Sequence, residues 1–157
     1  MRPGARLGID VGRVRVGVAR CDASAILAVP VETVARSPEG EDADIRRVLE
    51  LAGEHEVIEL VVGHPLSLSG RPTASTDDAV GFAERLAAGG AATVRLVDER
   101  MSTVSAQQAL RSAGKSSRKQ RPIIDQAAAV IILQHAIDAE RASGTAPGRT
   151  ISVEEGP

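Results

Sequence analysis

The sequence predicts an α/β domain built on a mixed five-stranded sheet with helices on both faces. Two observations lead to this prediction. Residues 7–36 read as three short strands joined by turns, which form a meander. Two further apolar strands then alternate with helical segments. A three-strand meander followed by strand–helix alternation is typical of a sheet in which two parallel strands extend an antiparallel part.

The meander is predicted from residues that alternate between apolar and polar or small types. The first strand begins at Leu7 and ends near Asp10, before a glycine turn. The second carries Val14, Val16 and Val18 at the two-residue period of a half-exposed strand. A third strand is predicted over residues 26–34, where Pro30 indicates a sheet edge or a bulge.

Helical spacing of apolar residues begins after Ser37. Helices are predicted over residues 38–54 and 73–88, with a strand over 57–62 between them. A strand over 93–97 precedes a helix over 102–113, and a last helix is predicted from Pro122 to about Ala142. Residues 1–142 therefore form one predicted domain. Residues 143–157, rich in Gly, Ser, Thr and Pro, are predicted to be a flexible tail.

Composition excludes several classes of protein. A formal net charge of −2 provides no overall basic field, so contact with nucleic acid would need a local patch. One Phe and neither Tyr nor Trp argue against recognition by base stacking. A single cysteine excludes an internal disulfide and a Cys-based zinc site. With no signal core and no run of ~20 apolar residues, we expect a cytoplasmic protein without membrane contact.

Acidic residues at strand and helix ends are candidates for one site. Asp10 ends the first strand, Asp98 and Glu99 follow the fifth, and Asp125 lies in the predicted first turn of the last helix. Carboxyl ends of parallel strands share an edge, but alternation lets only one of the adjacent acids join Asp10, and these residues do not decide which. Considered alone, Asp10 is explained equally well as a turn-forming residue. Asp125 alone is explained as an acid that interacts favourably with the dipole at a helix N-terminus.

Together, the three acids point to a metal site. Clustered carboxylates repel and raise one another's pKa unless a cation lies between them. Oxygen ligands without cysteine favour Mg²⁺ or Mn²⁺. Two such ions about 4 Å apart would activate a water and stabilise the leaving oxygen of a phosphodiester. The hypothesis is therefore metal-dependent phosphodiester hydrolysis.

Four motifs in order carry a resemblance to a known family. They are Gly8-Ile9-Asp10-Val11-Gly12 with Arg15-Val16-Gly17-Val18-Ala19; Val62-Gly63-His64-Pro65-Leu66 with Gly70; Asp98-Glu99-Arg100 with Ser102-Thr103; and Ile124-Asp125 with Ala127-Ala128 and Ile132-Leu133. On these motifs the chain resembles the YqgF family, also called RuvX, of Holliday-junction-resolvase-like proteins.

The resemblance implies a ribonuclease-H-like fold and a nuclease that matures the 5′ end of pre-16S rRNA. It implies Asp10, Glu99 and Asp125 as the catalytic and metal-binding acids, with one or two Mg²⁺ or Mn²⁺ ions. Related resolvases of the RuvC type carry a fourth acid one helical turn from the last. Pro122 stands at that position here and cannot ligate, so the number of ions stays open.

Basic residues near these acids are candidates for phosphate contacts. They are Arg15, Arg100, Lys115, Arg118, Lys119 and Arg121. The last four fall in a polar loop predicted over residues 111–121, which is otherwise simply a solvated charged surface. His64, after a central strand, would orient a water or contact a phosphate, or else only pack the loop.

The predicted substrate is structured RNA, pre-16S rRNA in particular, or branched DNA. A resolvase of four-way DNA junctions would use the same acids but would need a dimer, because a junction is cut at two symmetric sites. A nucleic-acid-binding, transcription-associated factor with weak catalysis is the other alternative. The sequence leaves a monomer and a homodimer equally open.

Overall fold

The computed structural model describes residues 1–65, 71–98 and 117–151, with side chains from Gln126 onward in the last range. The strands are β1 (Arg6–Val11), β2 (Arg15–Cys21), β3 (Val29–Ala35), β4 (Glu59–His64), β5 (Thr93–Asp98) and β6 (Arg149–Ile151). The helices are α1 (Ala43–Glu54), α2 (Ala74–Ala88) and α3 (Ser117–Ser143). The helix predicted over residues 102–113 lies outside the described residues.

All described strands belong to one sheet in the order β3-β2-β1-β4-β5-β6. β1 pairs antiparallel with β2 and parallel with β4, and β4 pairs parallel with β5. The meander, the two added parallel strands and the mixed sheet are therefore confirmed. Pro30 lies in β3 at the edge of the sheet, and the β2–β3 register shifts between Val18 and Ala19. Both features agree with the predicted edge or bulge.

The sixth strand corrects the predicted count of five. β6 comes from the segment predicted to be a flexible tail, and it pairs antiparallel with β5. Gly148 makes the approach possible, since it adopts a positive φ of +74° and a Cβ there would overlap the carbonyl oxygen of Leu96. A strand of three residues is too short for alternation to reveal it. The tail beyond Ile151 lies outside the described residues.

The helices divide between the two faces of the sheet. One face packs against α1 and α2 through a core that includes Leu7, Ile9, Leu60, Leu96 and Phe82. The other face packs against α3 through a second cluster that includes Ala19, Val61, Val97, Ala129 and Leu133. Helices therefore cover both faces, as predicted, and alternate residues of each strand serve different cores.

α3 lies directly on β1 because of Gly8. A Cβ at Gly8 would come 2.6 Å from Leu133 Cβ and 2.7 Å from the carbonyl oxygen of Ala129. Further along α3, Glu140 accepts a hydrogen bond from Arg6 at the start of β1, with a 3.1 Å separation. α3 therefore runs opposite to β1, and its N-terminal part approaches the carboxyl end of that strand.

Two helices begin at residues other than those predicted. α1 begins at Ala43, and Asp42 is its N-cap residue. Ser37 lies before the helix, and its hydroxyl accepts a hydrogen bond from the Asp44 amide at 2.9 Å. α3 begins at Ser117, so the end of the predicted basic loop is helical backbone. Arg, Lys and Gln favour helix, and this outweighs the hydrogen bond that Pro122 removes. None of the helices in the described ranges is long and apolar enough to cross a membrane.

Candidate active site at the carboxyl edge of the sheet

Asp10 lies one residue before the end of β1 and is half-buried. It shares the α3 face with Gly8, since Leu7, Ile9 and Val11 belong to the opposite core. Gly17 stands opposite it on β2. On the other side, the β1–β4 register continued by one residue brings it level with Gly63. A glycine on each neighbouring strand leaves space beside the Asp10 carboxylate, as expected where a ligand approaches a sheet.

The backbone of α3 brings position 125 to the level of Asp10. Ala129 lies over Gly8. Asp125 is one helical turn before Ala129, about 6 Å along the helix axis. Asp10 is two residues after Gly8, about 7 Å along the strand. Because the helix and the strand run in opposite directions, both steps lead to the same edge.

Gln126 gives independent support for this placement. Its Nε2 donates to Thr33 Oγ1 on β3 at 2.8 Å. Thr33 pairs with Gly17, which in turn pairs with Asp10, so all three residues form one row across the sheet. The residue next to Asp125 is thus tied to the row that contains Asp10.

The register of β5 shows on which face of the sheet Asp98 lies. Leu96 packs with α1 and α2, whereas Val97 packs under α3. Asp98 has the parity of Leu96 and is exposed on the face away from Asp10. Glu99, the next residue in the sequence, lies outside the described residues. Asp98 is therefore poorly placed to join Asp10, and a role for Glu99 as the acid beside Asp10 stays a prediction.

His64 has a different setting from the one that its motif suggested. It ends β4 with the parity of Leu60 and Val62, on the α1 and α2 face, and its register partner is Asp98. Burial lowers its pKa, the charge of Arg149 lowers it further, and Asp98 opposes both effects. The sheet thus lies between His64 and the face that carries Asp10, and a role for His64 in catalysis stays a prediction.

Arg15 is the one predicted phosphate contact whose side chain the structure describes. It is half-buried at the start of β2 and shares the parity of Gly17, on the face of Asp10. Arg118, Lys119 and Arg121 belong to the first turns of α3 by their backbone, and their side chains are outside the described part. Arg100 and Lys115 lie outside it altogether. Their contacts with nucleic acid stay predictions.

Within the described side chains, no three His, Cys, Asp or Glu residues gather as a metal-binding group. Of the three predicted ligands, only Asp10 has a described side chain.

Arg36 fixes the turn that follows Asp10, a role that no sequence pattern indicates. Its guanidinium donates to the Gly12 carbonyl oxygen at 2.8 Å and to both Asp78 carboxylate oxygens at 2.7 and 2.8 Å. It also lies 5.3 Å from the centroid of the Phe82 ring. The paired charges raise the pKa of Arg36 and lower that of Asp78. Only the fold brings these distant positions together.

Comparison with known proteins places the chain in a family. A family model described as "RuvX: Holliday junction resolvase" matches residues 4–139. The chain belongs to the RuvX family. The resemblance drawn from the four motifs is thereby confirmed.

Two relatives within the RuvX family are similar over nearly the whole chain. A protein of Clavibacter sepedonicus is 62% identical over 151 residues, which cover 96% of this chain and 93% of that protein. A protein of Leifsonia xyli subsp. xyli is 58% identical over 157 residues, with complete coverage of both. Each carries the name "Putative pre-16S rRNA nuclease".

Two solved structures share the fold of this RuvX chain. Thermus thermophilus RuvC in complex with a Holliday junction substrate superposes with a TM-score of 0.57 at 22% identity. Thermus thermophilus RuvC in a second structure gives a TM-score of 0.56 at 20% identity. Each comparison covers 92% of this chain and 99% of the other. The α/β fold is thus of the RuvC, ribonuclease-H-like type.

Proposed function

We propose that this protein is a metal-dependent nuclease that hydrolyses phosphodiester bonds and processes the 5′ end of pre-16S rRNA during ribosome biogenesis in the cytoplasm. The observation that carries the proposal is Asp10, half-buried between two glycine positions at the carboxyl edge of a RuvC-like sheet. The backbone level of position 125 supports Asp125 as a second acid at that edge, and the position of Asp98 on the opposite face favours Glu99 over Asp98 as a third.

Asp10, Glu99 and Asp125 are the proposed ligands of Mg²⁺ or Mn²⁺. Their donors are carboxylate oxygens, the type that these hard cations prefer, and the glycine neighbours of Asp10 leave space for a bound group. When bound, such an ion supplies an acidified water and neutralises charge that develops on the phosphate. Arg15, on the face of Asp10, would hold a neighbouring phosphate, and Arg100, Lys115, Arg118, Lys119 and Arg121 are proposed to do the same.

RNA is favoured over a DNA junction by the relatives. The proteins that are 58–62% identical over almost the whole chain carry a name that refers to pre-16S rRNA. The likeness to RuvC is at 22% identity and supports the fold only. Resolution of four-way junctions is the second candidate, because the family model bears that description. It would require two symmetric active sites and hence a dimer.

The decisive experiment is a cleavage assay on end-labelled pre-16S rRNA leader and on a four-way DNA junction, each with Mg²⁺ or Mn²⁺. We expect the wild-type protein to cut the RNA and Asp10→Asn to lose at least about 100-fold in rate, since a removed ligand and its charge cannot be replaced. Asp77→Asn, an exposed acid in the first turn of α2, is the matched control and should cleave normally.

The outcomes separate the candidate functions. Equal cleavage by the wild type and Asp10→Asn would refute the metal-nuclease proposal and leave a binding factor with weak catalysis. Cleavage of the junction alone, by a dimer, would establish the resolvase instead.

A further inference from the structure

The tip of the β1–β2 hairpin, residues Gly12 to Arg15, presents an apolar side chain to solvent. Val14 is 69% exposed, more than any other large apolar residue in the described ranges. Arg13 beside it is exposed, and Arg15 on its other side is half-buried. Single exposed apolar residues are common on protein surfaces, so exposure alone would not indicate a function.

The backbone of this hairpin tip is held firmly in place. The Gly12 amide donates to the Arg15 carbonyl oxygen at 2.9 Å, and the Arg36 amide donates to the Val14 carbonyl oxygen at 2.9 Å. The Arg36 guanidinium also donates to the Gly12 carbonyl oxygen, while Asp78 fixes that guanidinium. These bonds hold the backbone of the tip in the conformation that leaves Val14 exposed to water.

The hairpin tip also adjoins the proposed catalytic edge. Val14 is four residues after Asp10, so at most about 14 Å of chain separates them. Val14 stands opposite Arg36 and continues the parity of Val16 and Val18, so it lies towards the α1 and α2 face. A strand of nucleic acid with its scissile phosphate at Asp10 would reach Val14 where it passes round the carboxyl ends of β1 and β4. The one aromatic side chain of the protein, Phe82, is buried in the opposite core and offers no surface for base stacking.

We propose that the hairpin tip docks against the sugar–phosphate backbone of the RNA strand beside the bond that is cut. Val14 packs on ribose, and Arg13 pairs with a phosphate. The wide, shallow minor groove of an RNA helix exposes sugars to such a contact. The apolar residue beside a cation complements a surface that carries sugars and phosphates. This inference rests on the proposed nuclease function and names the element that positions its substrate.

The test measures binding separately from cleavage. Fluorescence anisotropy would follow a labelled RNA hairpin from the 5′ region of pre-16S rRNA at several KCl concentrations, with EDTA present to prevent cleavage. Leu27→Ser is the matched control for Val14→Ser. Leu27 is 64% exposed, close to the exposure of Val14. It lies just before β3, at the end of the β2–β3 pair that is far from the hairpin tip, because Val29 pairs with Arg20.

We expect Val14→Ser to raise Kd about five- to tenfold, because an apolar contact is lost. The slope of log Kd against log salt concentration should not change. Arg13→Gln should reduce that slope by about one, the value for one phosphate contact. Val14→Ile should bind as the wild type does. Leu27→Ser should change neither quantity, and all four variants should keep the wild-type Tm.

Two contrary results have different meanings. If the wild-type protein binds the RNA and Val14→Ser matches Leu27→Ser, the hairpin inference is wrong and the nuclease proposal stands. If the wild-type protein has no measurable affinity for the RNA, the proposed function fails and the inference fails with it.

Discussion

Asp10 has surroundings that suit a carboxylate turned to a ligand. Every other residue of β1 is buried, and Asp10 alone is half-buried. A carboxylate beside an apolar core costs free energy unless a cation or a set of hydrogen bonds compensates it. Gly17 opposite it, and Gly63 level with it, add no side chains on that face. The two glycine positions therefore leave space for a cation beside the Asp10 carboxylate.

Asp98 and Glu99 form a matched pair for testing which acid binds metal. We expect Glu99→Gln to weaken Mn²⁺ binding by about tenfold or more, since it would remove a ligand charge. Asp98→Asn should stay within about twofold of the wild type, because Asp98 has the parity of the opposite face. Isothermal calorimetry with Mn²⁺ measures both. A loss confined to Asp98→Asn would show that Asp98, and not Glu99, is the ligand.

The packing of α3 on the sheet positions residue 125 relative to Asp10 on β1. Its contact with Gly8 sets its height above the sheet, and the hydrogen bond from Gln126 to Thr33 sets the position of its N-terminal part. Neither contact depends on the acids themselves. The packing of this helix therefore determines the distance between β1 and position 125.

Gly8→Ala tests the close approach of α3. The added Cβ would lie 2.7 Å from the Ala129 carbonyl oxygen, a backbone atom that cannot move aside without shifting the helix. We expect the free energy of unfolding in urea to fall by about 1–3 kcal/mol. Mn²⁺ affinity should weaken too, because Asp125 would move with the helix.

Gly81→Ala is the control for that substitution. It lies within α2, where an added Cβ meets nothing within 4 Å, so stability should rise by up to about 1 kcal/mol. A Gly8→Ala protein as stable as the wild type would contradict the proposed close packing.

Across the whole molecule, the sequence predicts the long periodic segments. It does not predict a very short strand or a contact between residues that are far apart in the chain. Alternation in the meander, two short apolar runs and helical spacing predicted the mixed sheet with helices on both faces. The three-residue β6 carries too little pattern, and the face on which Asp98 lies became clear only from the register of β5. The link between Arg36 and Asp78 joins residues 42 positions apart, which no local pattern records.

A buried ionic network lies near the amino ends of β1 and β4, at the other end of the strands from Asp10. Arg6 is 1% exposed and donates to Glu140, which is 3% exposed and also accepts from Arg2 at 2.7 Å. Glu59 accepts from Arg2 and from Arg95 of β5. The network thus connects the N-terminal segment, three strands and α3. The charges of this network, which stabilise the fold, and the acids of the proposed active site therefore lie at opposite ends of the strands.

Glu140 should make this fold sensitive to acid. The arginine contacts lower its pKa from the usual 4.5 to about 2. A lowered pKa contributes stability that is complete above about pH 4.5 and is lost as the pH falls through 2. The shift corresponds to about 3 kcal/mol. Urea unfolding followed from pH 7 to pH 3 should therefore show a decline below pH 4.5.

Glu140→Gln should abolish that part of the decline and should already cost about 3–5 kcal/mol at pH 7, because Arg6 would keep a buried charge without its partner. Glu54→Gln, which removes an exposed pair with Arg47, should cost less than about 1 kcal/mol. If Glu140→Gln unfolded at the same urea concentration as Glu54→Gln across this pH range, the network would not be what stabilises this end of the sheet. A loss confined to Glu140→Gln would show that the buried network, and not an exposed ion pair such as Glu54 with Arg47, stabilises this part of the fold.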